Sequence, residues 1–495
     1  MQPQSKKEHI IQRLLEILPG FFSWNVILFP YWGIFLVPNL VAYFVLGFNI
    51  YWFYQSLTIA VTSTISHWRI QASMIFDWEG ELKHFPDWEK VNNIVVITTY
   101  KEPLHTLERT LNSLKNQTLP KNQITVVLAM EKKEDEKERL EKVKYLKDKF
   151  GKVFKNLFVT VHELIPGEVV GKASNERYAA MWVKKELVDI RGNDINYITI
   201  TSCDADHVYH PKHFACLTYK FLDNPKRYNF FWQPAIMFYN NIWDIPAITR
   251  VPNTLGSIWN LSQLPRKDRL INQQNYGLSL KLLDEAGYWD PDKIPEDWGI
   301  FFKAFFAKGG DVEVEPIYLP LFADAAQSHT LRETLKNQYE QYKRWAWGVS
   351  DIPWIIKNFF LAKKVSFPNK IMRLMNVVWA HFMWPVNWFV ITVGLTLPTI
   401  LNPAFGRTTL GYMVPKLSSF ILTVSLAFLL VMIIFDNIYK PKRPKDFPLW
   451  RAILVPFEYI LMPVAGFFLS ALPGLDAHTR LMLGKYLEYR VTEKV

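Results

Sequence analysis

Cysteine is nearly absent from this chain. Cys203 and Cys216 are the only two in 495 residues, which excludes a disulfide framework, and neither their spacing nor their neighbours suggest zinc. Internal repeats and low-complexity linkers are missing as well. Charge is missing from long stretches: no Lys, Arg, Asp or Glu occurs from Ile17 to Trp68, from Leu374 to Gly406, or from Leu417 to Phe435. The first run is long enough for two membrane helices of about 20 residues each. It is too long for a signal peptide, and no small-residue cleavage site follows it. Pro30, Pro38 and the GFN at 47–49 interrupt it, and GFN is expected to form the tight turn. A fourth run, Ala452 to Leu475, is broken by Glu458, Pro463 and Pro473, so it either spans or re-enters.

What is present has to be segregated along the chain. Hydrophobic residues make up 49%, aromatics 15% and charged residues 21%, with 19 Trp and a net charge of +11. The length suits two or three domains. Basic residues gather at loops beside the apolar runs, which fits anionic lipid or phosphorylated substrates and disfavours nucleic acid. Loop 436–451 carries Lys440, Lys442, Arg443, Lys445 and Arg451, whereas 407–416 carries only Arg407 and Lys416. The positive-inside rule therefore puts 436–451 and the polar middle in the cytoplasm. Arg480, Lys485, Arg490 and Lys494 place the tail there too, in conflict with a fully spanning fourth run. The expected organisation is an interfacial segment at 1–20, about two transmembrane helices in 21–68, a cytoplasmic domain at 69–350 and an interfacial helix at 351–372. Further membrane helices fill 373–475, two spanning and one spanning or re-entrant, before a tail at 476–495. No regulatory domain is expected after the last run.

The polar middle alternates strand-like and helix-like segments. NIVVITT (93–99), QITVVLAM (123–130), NLFVTVHEL (156–164) and NYITITSC (196–203) read as strands, while PLHTLERTLNSLKNQ (103–117) and EKKEDEKERLEKVKYLKDKF (131–150) read as helices. Alternation of this kind predicts an α/β fold with a mostly parallel sheet covered on both faces. Ligands in such sheets collect at the carboxyl ends of strands.

Asp204 and Asp206 stand at one such end, in DADH. Residues i and i+2 of a strand share a face. Two like charges there repel unless a cation lies between them, and Mg²⁺ or Mn²⁺ binds carboxylate and phosphate oxygens together. Alone, the pair also suits a solvated turn. Glu296 and Asp297 precede an apolar helix, where acids also serve as caps. In QYKRWAWG, helical spacing puts Gln341 on one face with Arg344 and Trp345. An arginine beside a tryptophan binds phosphate and stacks on sugar, although an interfacial anchor reads the same way. Lys172, in GKASN, is either a phosphate ligand or a surface lysine.

In series, TYKEP (99–103), GKA (171–173), DADH (204–207), PED (295–297) and QYKRW (341–345) resemble the membrane-bound processive branch of glycosyltransferase family 2, the cellulose and hyaluronan synthase-like enzymes. The resemblance implies a GT-A-like catalytic domain inserted between transmembrane helices, and inverting transfer from a nucleotide-diphospho-sugar. It favours UDP, with GDP open. Carried over, Tyr100 and Glu102 would flank the nucleobase and Lys172 would lie near the nucleotide or diphosphate. Asp204 and Asp206 would hold the diphosphate and, through Asp206, Mg²⁺ or Mn²⁺. Asp297 would be the general base, supported by Glu296. Gln341, Arg344 and Trp345 would cover the diphosphate and the acceptor end. Asn376, His381, Trp384 and Asn387 are candidate linings of a passage, or else helix-to-helix contacts.

The chain also departs from that branch. VVLAMEKKE leaves only Glu131 where members have two acids, Pro295 stands for the Thr of T-E-D, and the expected acceptor-facing loop reads QQNYGLS (273–279). Three readings follow: a processive polysaccharide synthase, a single-addition transferase onto a lipid phosphate or lipid-linked glycan, and a non-catalytic membrane transport or assembly subunit. The partners expected are the sugar nucleotide, a glycan or lipid-linked acceptor, and membrane lipid.

Overall fold

The computed structural model describes residues 6–394 and 397–488; Arg490 and Lys494 of the expected tail lie outside them. Eight strands form one sheet: β1 (Asn92–Thr99), β2 (Ile124–Glu131), β3 (Asn156–His162), β4 (Ile198–Asp204), β5 (Val208–Tyr209), β6 (Phe230–Met237), β7 (Tyr276–Ser279) and β8 (Glu313–Phe322). Their order is β3-β2-β1-β4-β7-β6-β8-β5. The first four run parallel. β7 is antiparallel to both β4 and β6, β6 and β8 are parallel, and β5 closes the far edge antiparallel to β8. The mostly parallel sheet expected from the alternation is therefore present.

Ile94, Val95, Val96 and Ile97 of β1 are all fully buried, as a strand covered on both faces requires. Alternation divides them between two cores. Val95 and Ile97 pack with Val126 and Leu128 of β2 and with Leu107, Leu111 and Leu114 of the helix Leu104–Lys115. Ile94 and Val96 pack with Ala179 and Val183 of the helix Lys172–Lys184 and with Phe301 and Phe305 of the helix Glu296–Ala307. These last two helices therefore press their first residues against the carboxyl end of β4, where the polar motifs lie.

Among the described residues, five helices are long and apolar enough to cross a membrane: Lys6–Leu36, Pro38–Ile75, Phe367–Thr392, Thr409–Tyr439 and Leu449–Met482. The first two are separated at Val37, which corrects the expected turn at 47–49. Val37 leaves the helical region at φ −141°, as the residue before a proline tends to, and Pro38 starts the next helix, where its missing N–H is not needed. Asn49 lies inside that helix and donates to Ser418 Oγ at 2.8 Å. Its polarity serves a contact between helices, not a turn. The segment 449–482 touches helices of the sheet domain near both its ends. Arg250 bonds Glu458 at 2.5 Å, and Lys343 lies 3.4 Å from Asp476.

Candidate active site

The carboxyl ends of β1, β2 and β4 open into a cavity of about 2000 Å³. Tyr100, Glu102, Lys172, Asp204, Asp206, Glu296, Asp297, Gln341, Arg344 and Trp345 all line it. Ten residues from five stretches spread over about half of the sequence are thus brought to one space. The cavity continues between helices long and apolar enough to cross a membrane, past Gln55 of Pro38–Ile75, past Asn376, His381, Trp384 and Asn387 of Phe367–Val393, and past Leu422 and Leu426 of Thr409–Tyr439.

Beyond β1 the chain turns sharply, with Lys101 at φ 65°. The turn folds Glu102 back so that its carboxylate accepts from Thr99 Oγ1 at 2.7 Å and from the Tyr100 amide. Burial pushes this carboxyl up to about 7. Glu131, the last residue of β2, also lines the cavity and faces His162 Nδ1 at 3.1 Å. The other nitrogen of that ring faces Glu168 at 3.0 Å.

Lys172 is the first residue of its helix and is almost wholly buried. Its Nζ lies 2.8 Å from Asp204 Oδ1 and 3.4 Å from Glu296 Oε1, and donates to the Gln274 carbonyl at 2.9 Å. Burial disfavours the ammonium, but Asp204, Glu176 and Glu296 outweigh it, and the pKa is raised well above the ordinary lysine value. Asp297 is held by the loop before β7. Its Oδ2 accepts the Gln274 amide at 2.7 Å, and its carbonyl accepts from Asn272 Nδ2 at 2.8 Å. Oδ1 is buried with no hydrogen-bond partner among the described residues. Burial, then the charge of Glu296, raise this carboxyl well above the usual carboxylate range. A buried carboxylate with one oxygen fixed and the other open has the form of a general base.

β4 ends at Asp204, and Asp206 sits in the turn beyond it, so the two acids do not share the face of one continuous strand. Asp206 Oδ2 accepts the Asp324 amide at 2.7 Å, and Arg109 holds both oxygens of Asp324 at 2.6 Å. Ligand atoms of Asp204, Asp206 and His207 all lie within 4.8 Å of one another, a spacing that fits a divalent cation. His207 Nδ1, however, faces two donors at 3.2 Å, the Asp204 amide and Asn275 Nδ2. That leaves the ring proton on Nε2, 3.9 Å from Asp204 Oδ2, so the carboxylate oxygens of the two aspartates are the lone pairs that a cation could use. Oxygen donors suit Mg²⁺ or Mn²⁺.

Sequence reading missed several residues. Glu176, one turn along from Lys172, is fully buried; the i, i+4 spacing was the only signal. The Arg109–Asp324 support for Asp206 left no signal in the sequence. In the expected acceptor-facing stretch, residues 276–279 form β7 and are buried in mid-sheet. Among the described residues of that stretch, only Gln273 and Gln274 line the cavity. On the helix Leu331–Ala346, Gln341 Oε1 is buried without a partner among the described residues, and Trp345 packs its ring 5.6 Å from Phe238 and 5.0 Å from Tyr342.

Residues 199–435 match the family model described as glycosyl transferase family group 2. The match spans Asp204, Asp206, Glu296, Asp297, Gln341, Arg344 and Trp345, and marks that region as similar to a glycosyltransferase domain. No curated protein matches the chain in sequence. Among solved structures, the chain is similar to the mannosyltransferase PcManGT from Pyrobaculum calidifontis in complex with GDP-Man and Mn²⁺. That likeness has a TM-score of 0.44 and 13% identity, over 79% of this chain and 99% of the other. It is also similar to TarS 1–349 from S. aureus in complex with UDP-GlcNAc, with a TM-score of 0.35 and 12% identity over 81% and 93% of the two chains.

Proposed function

We propose that the protein is a multi-pass membrane glycosyltransferase with its sheet domain in the cytoplasm. It moves a sugar from a nucleotide-diphospho-sugar to a growing glycan with inversion at the anomeric carbon. The observation that carries this reading is the convergence of the ten motif residues on one cavity that continues between membrane helices. Tyr100 and Glu102 bound the nucleobase end, and Lys172, Asp204, Asp206 and Arg344 bound the diphosphate. Asp204 and Asp206 are the residues that would hold Mg²⁺ or Mn²⁺, which when bound offsets charge on the leaving diphosphate. Asp297 Oδ1 takes the proton of the acceptor hydroxyl as that oxygen bonds to the anomeric carbon. The bond from this carbon to the diphosphate oxygen breaks with its electron pair, and nucleoside diphosphate leaves. Glu296 supports Asp297, while Gln341 and Trp345 hold the acceptor.

The passage favours a processive enzyme. Aromatic and amide side chains, Asn376, Trp384 and Asn387 among them, follow the cavity along Phe367–Val393, and a hydroxyl-rich chain needs such a lining. The apolar wall of Leu422 and Leu426 favours the second reading, single addition to a lipid-linked acceptor. The contacts of Glu458 and Asp476 with the sheet domain support a segment 449–482 that re-enters, which agrees with a cytoplasmic tail. The test is to supply membranes containing the protein with radiolabelled UDP- and GDP-sugars and to size the product. Long polymer supports processive synthesis, and single-sugar lipid products support the alternative. No transfer from any sugar nucleotide refutes both.

A further inference from the structure

His381 lies on the membrane helix Phe367–Val393, lines the cavity and is only 4% exposed, yet neither of its ring nitrogens has a hydrogen-bond partner among the described residues. Its surroundings hold the ring in place. Trp298, the residue after Asp297, packs on it with ring centroids 5.0 Å apart. On another side is Gly348, three residues after Trp345. A Cβ at 348 would come within 2.8 Å of His381 Cε1 and 3.0 Å of Nε2, so the lack of a side chain there is what admits the imidazole. The ring is thus wedged where the stretch carrying Asp297 and the stretch carrying Trp345 both meet the membrane helix.

A leucine would fill such a site without leaving polar atoms unpaired, and burying an unpaired imidazole is unfavourable. A neutral imidazole offers one donor and one acceptor. The ligand that completes it must therefore both give and take a hydrogen bond, as hydroxyl groups do. Other orphaned atoms line the same cavity: Gln341 Oε1, Asn376 Nδ2 and Asn387 Oδ1. Donors and acceptors are mixed among them, and indole faces stand beside them, which is the chemistry of a carbohydrate site and not of an anion site.

We infer that His381 binds a hydroxyl of the acceptor sugar and positions the acceptor against Asp297. The inference rests on the transferase reading and adds a membrane-helix residue to its acceptor site. It predicts that the end of the glycan is read jointly by the sheet domain and by the helix that leads into the membrane.

The experiment compares the full-length parent with His381→Leu, which keeps the volume without polar atoms, and with His381→Asn, which restores one donor and one acceptor. Purified proteins receive radiolabelled UDP-glucose, UDP-N-acetylglucosamine and GDP-mannose. Nucleotide release and label in glycan are measured on the same sample, and melting temperature is recorded. The expected result is that His381→Leu lowers glycan label per nucleotide released by tenfold or more, with the donor KM within twofold of the parent. His381→Asn recovers at least a third of the parental ratio. A parental ratio in His381→Leu overturns the inference. So does a loss in which release and glycan label fall together in both variants with a lowered melting temperature, since that marks a packing role. If the parent itself releases nucleotide from none of the donors, the transferase reading fails for these donors and the inference with it, an outcome distinct from an active parent with an active His381→Leu.

Discussion

The two ends of the cavity solve different electrostatic problems. At the sheet end, Lys172 faces four acids, Asp204, Glu176, Glu296 and Asp297, all of which act on its pKa. If all were ionised, negative charge would be in excess there, and burial would make that excess hard to sustain. Such a site is completed by cations or protons. At the membrane end the groups left unpaired among the described residues are amides and an imidazole: Gln341, Asn376, His381 and Asn387. Neutral orphans do not call for a counter-ion; they call for a ligand with hydroxyls. In the reading proposed here, a charged donor enters at the first end and an uncharged glycan lies along the second.

The strongest way to break this comparison is to remove the proposed base at the junction, Asp297. Asp297→Asn keeps the shape and the Gln274 contact but cannot take a proton. Transfer is expected to fall by about 10³-fold, within the range usual for general-base loss, while donor affinity measured by nucleotide binding changes little. Loss of donor binding with the fold intact would instead assign Asp297 to the charge problem of the sheet end. The next effect in size is that of the cation. Asp206→Asn, or chelation with EDTA, is expected to lower turnover by about 10²-fold or more, with Mg²⁺ or Mn²⁺ restoring only the chelated parent. Full activity in both cases would mean that Lys172 and Arg344 neutralise the diphosphate unaided.

The sheet end was the more legible of the two in the sequence, for a physical reason. β1 and β2 hold nearly continuous apolar runs and β4 alternates Ile with Thr, and charged motifs at their ends stand out against them. β6 and β8 carry Pro234, Pro316 and Pro320, which interrupt a strand pattern in the sequence. The structure takes them into a pairing with a register shift at Pro234/Ala235, where prolines are tolerated. β7 has only four residues, too few for a pattern. Asp206 shows itself in DADH, but its support from Arg109 through Asp324 joins residues 215 apart, which no local pattern reveals. The break between the first two helices was misplaced because Asn49 was read for a turn, whereas its partner Ser418 is on another helix. His381 was legible in the sequence as a candidate lining of a passage or a helix-to-helix contact. Its wedge between Trp298 and Gly348 depends on three segments meeting.

Trp345 tests the membrane end with a smaller effect. Its ring lines the cavity while packing on Phe238 and Tyr342, so one side is anchored. Trp345→Ala is expected to lower polymer yield by roughly tenfold, equivalent to about 1.4 kcal/mol of lost acceptor binding, and to shorten the product. Nucleotide release should persist. Product length on gel filtration, measured beside nucleotide release, decides it. Normal-length polymer would remove Trp345 from the acceptor site and leave the neutral groups to hold the glycan.

The smallest effect sharpens the account of the sheet end. Glu176 is buried, and its carboxyl is pushed up to about 8 from an ordinary 4.5, by burial first, with Lys172 and the Ser202 hydroxyl opposing and Glu296 and Asp204 adding to the rise. Below pH 4.5 the folded and unfolded chains both carry this proton. Between pH 4.5 and about 8 the folded chain keeps it while the unfolded chain has lost it, so stability contributed by the neutral acid declines as pH rises through that window. Glu176→Gln carries no titrating proton and is expected to remove this part of the decline. The difference between the two proteins, compared at pH 5 and pH 8 by thermal unfolding in detergent, should be at most a few kcal/mol. The glutamine variant should be relatively the more stable at pH 8. Parallel pH profiles would mean that Lys172 holds Glu176 ionised, so that the excess charge at the sheet end is met by cations alone; a flatter profile for the variant would mean that a stored proton meets part of it.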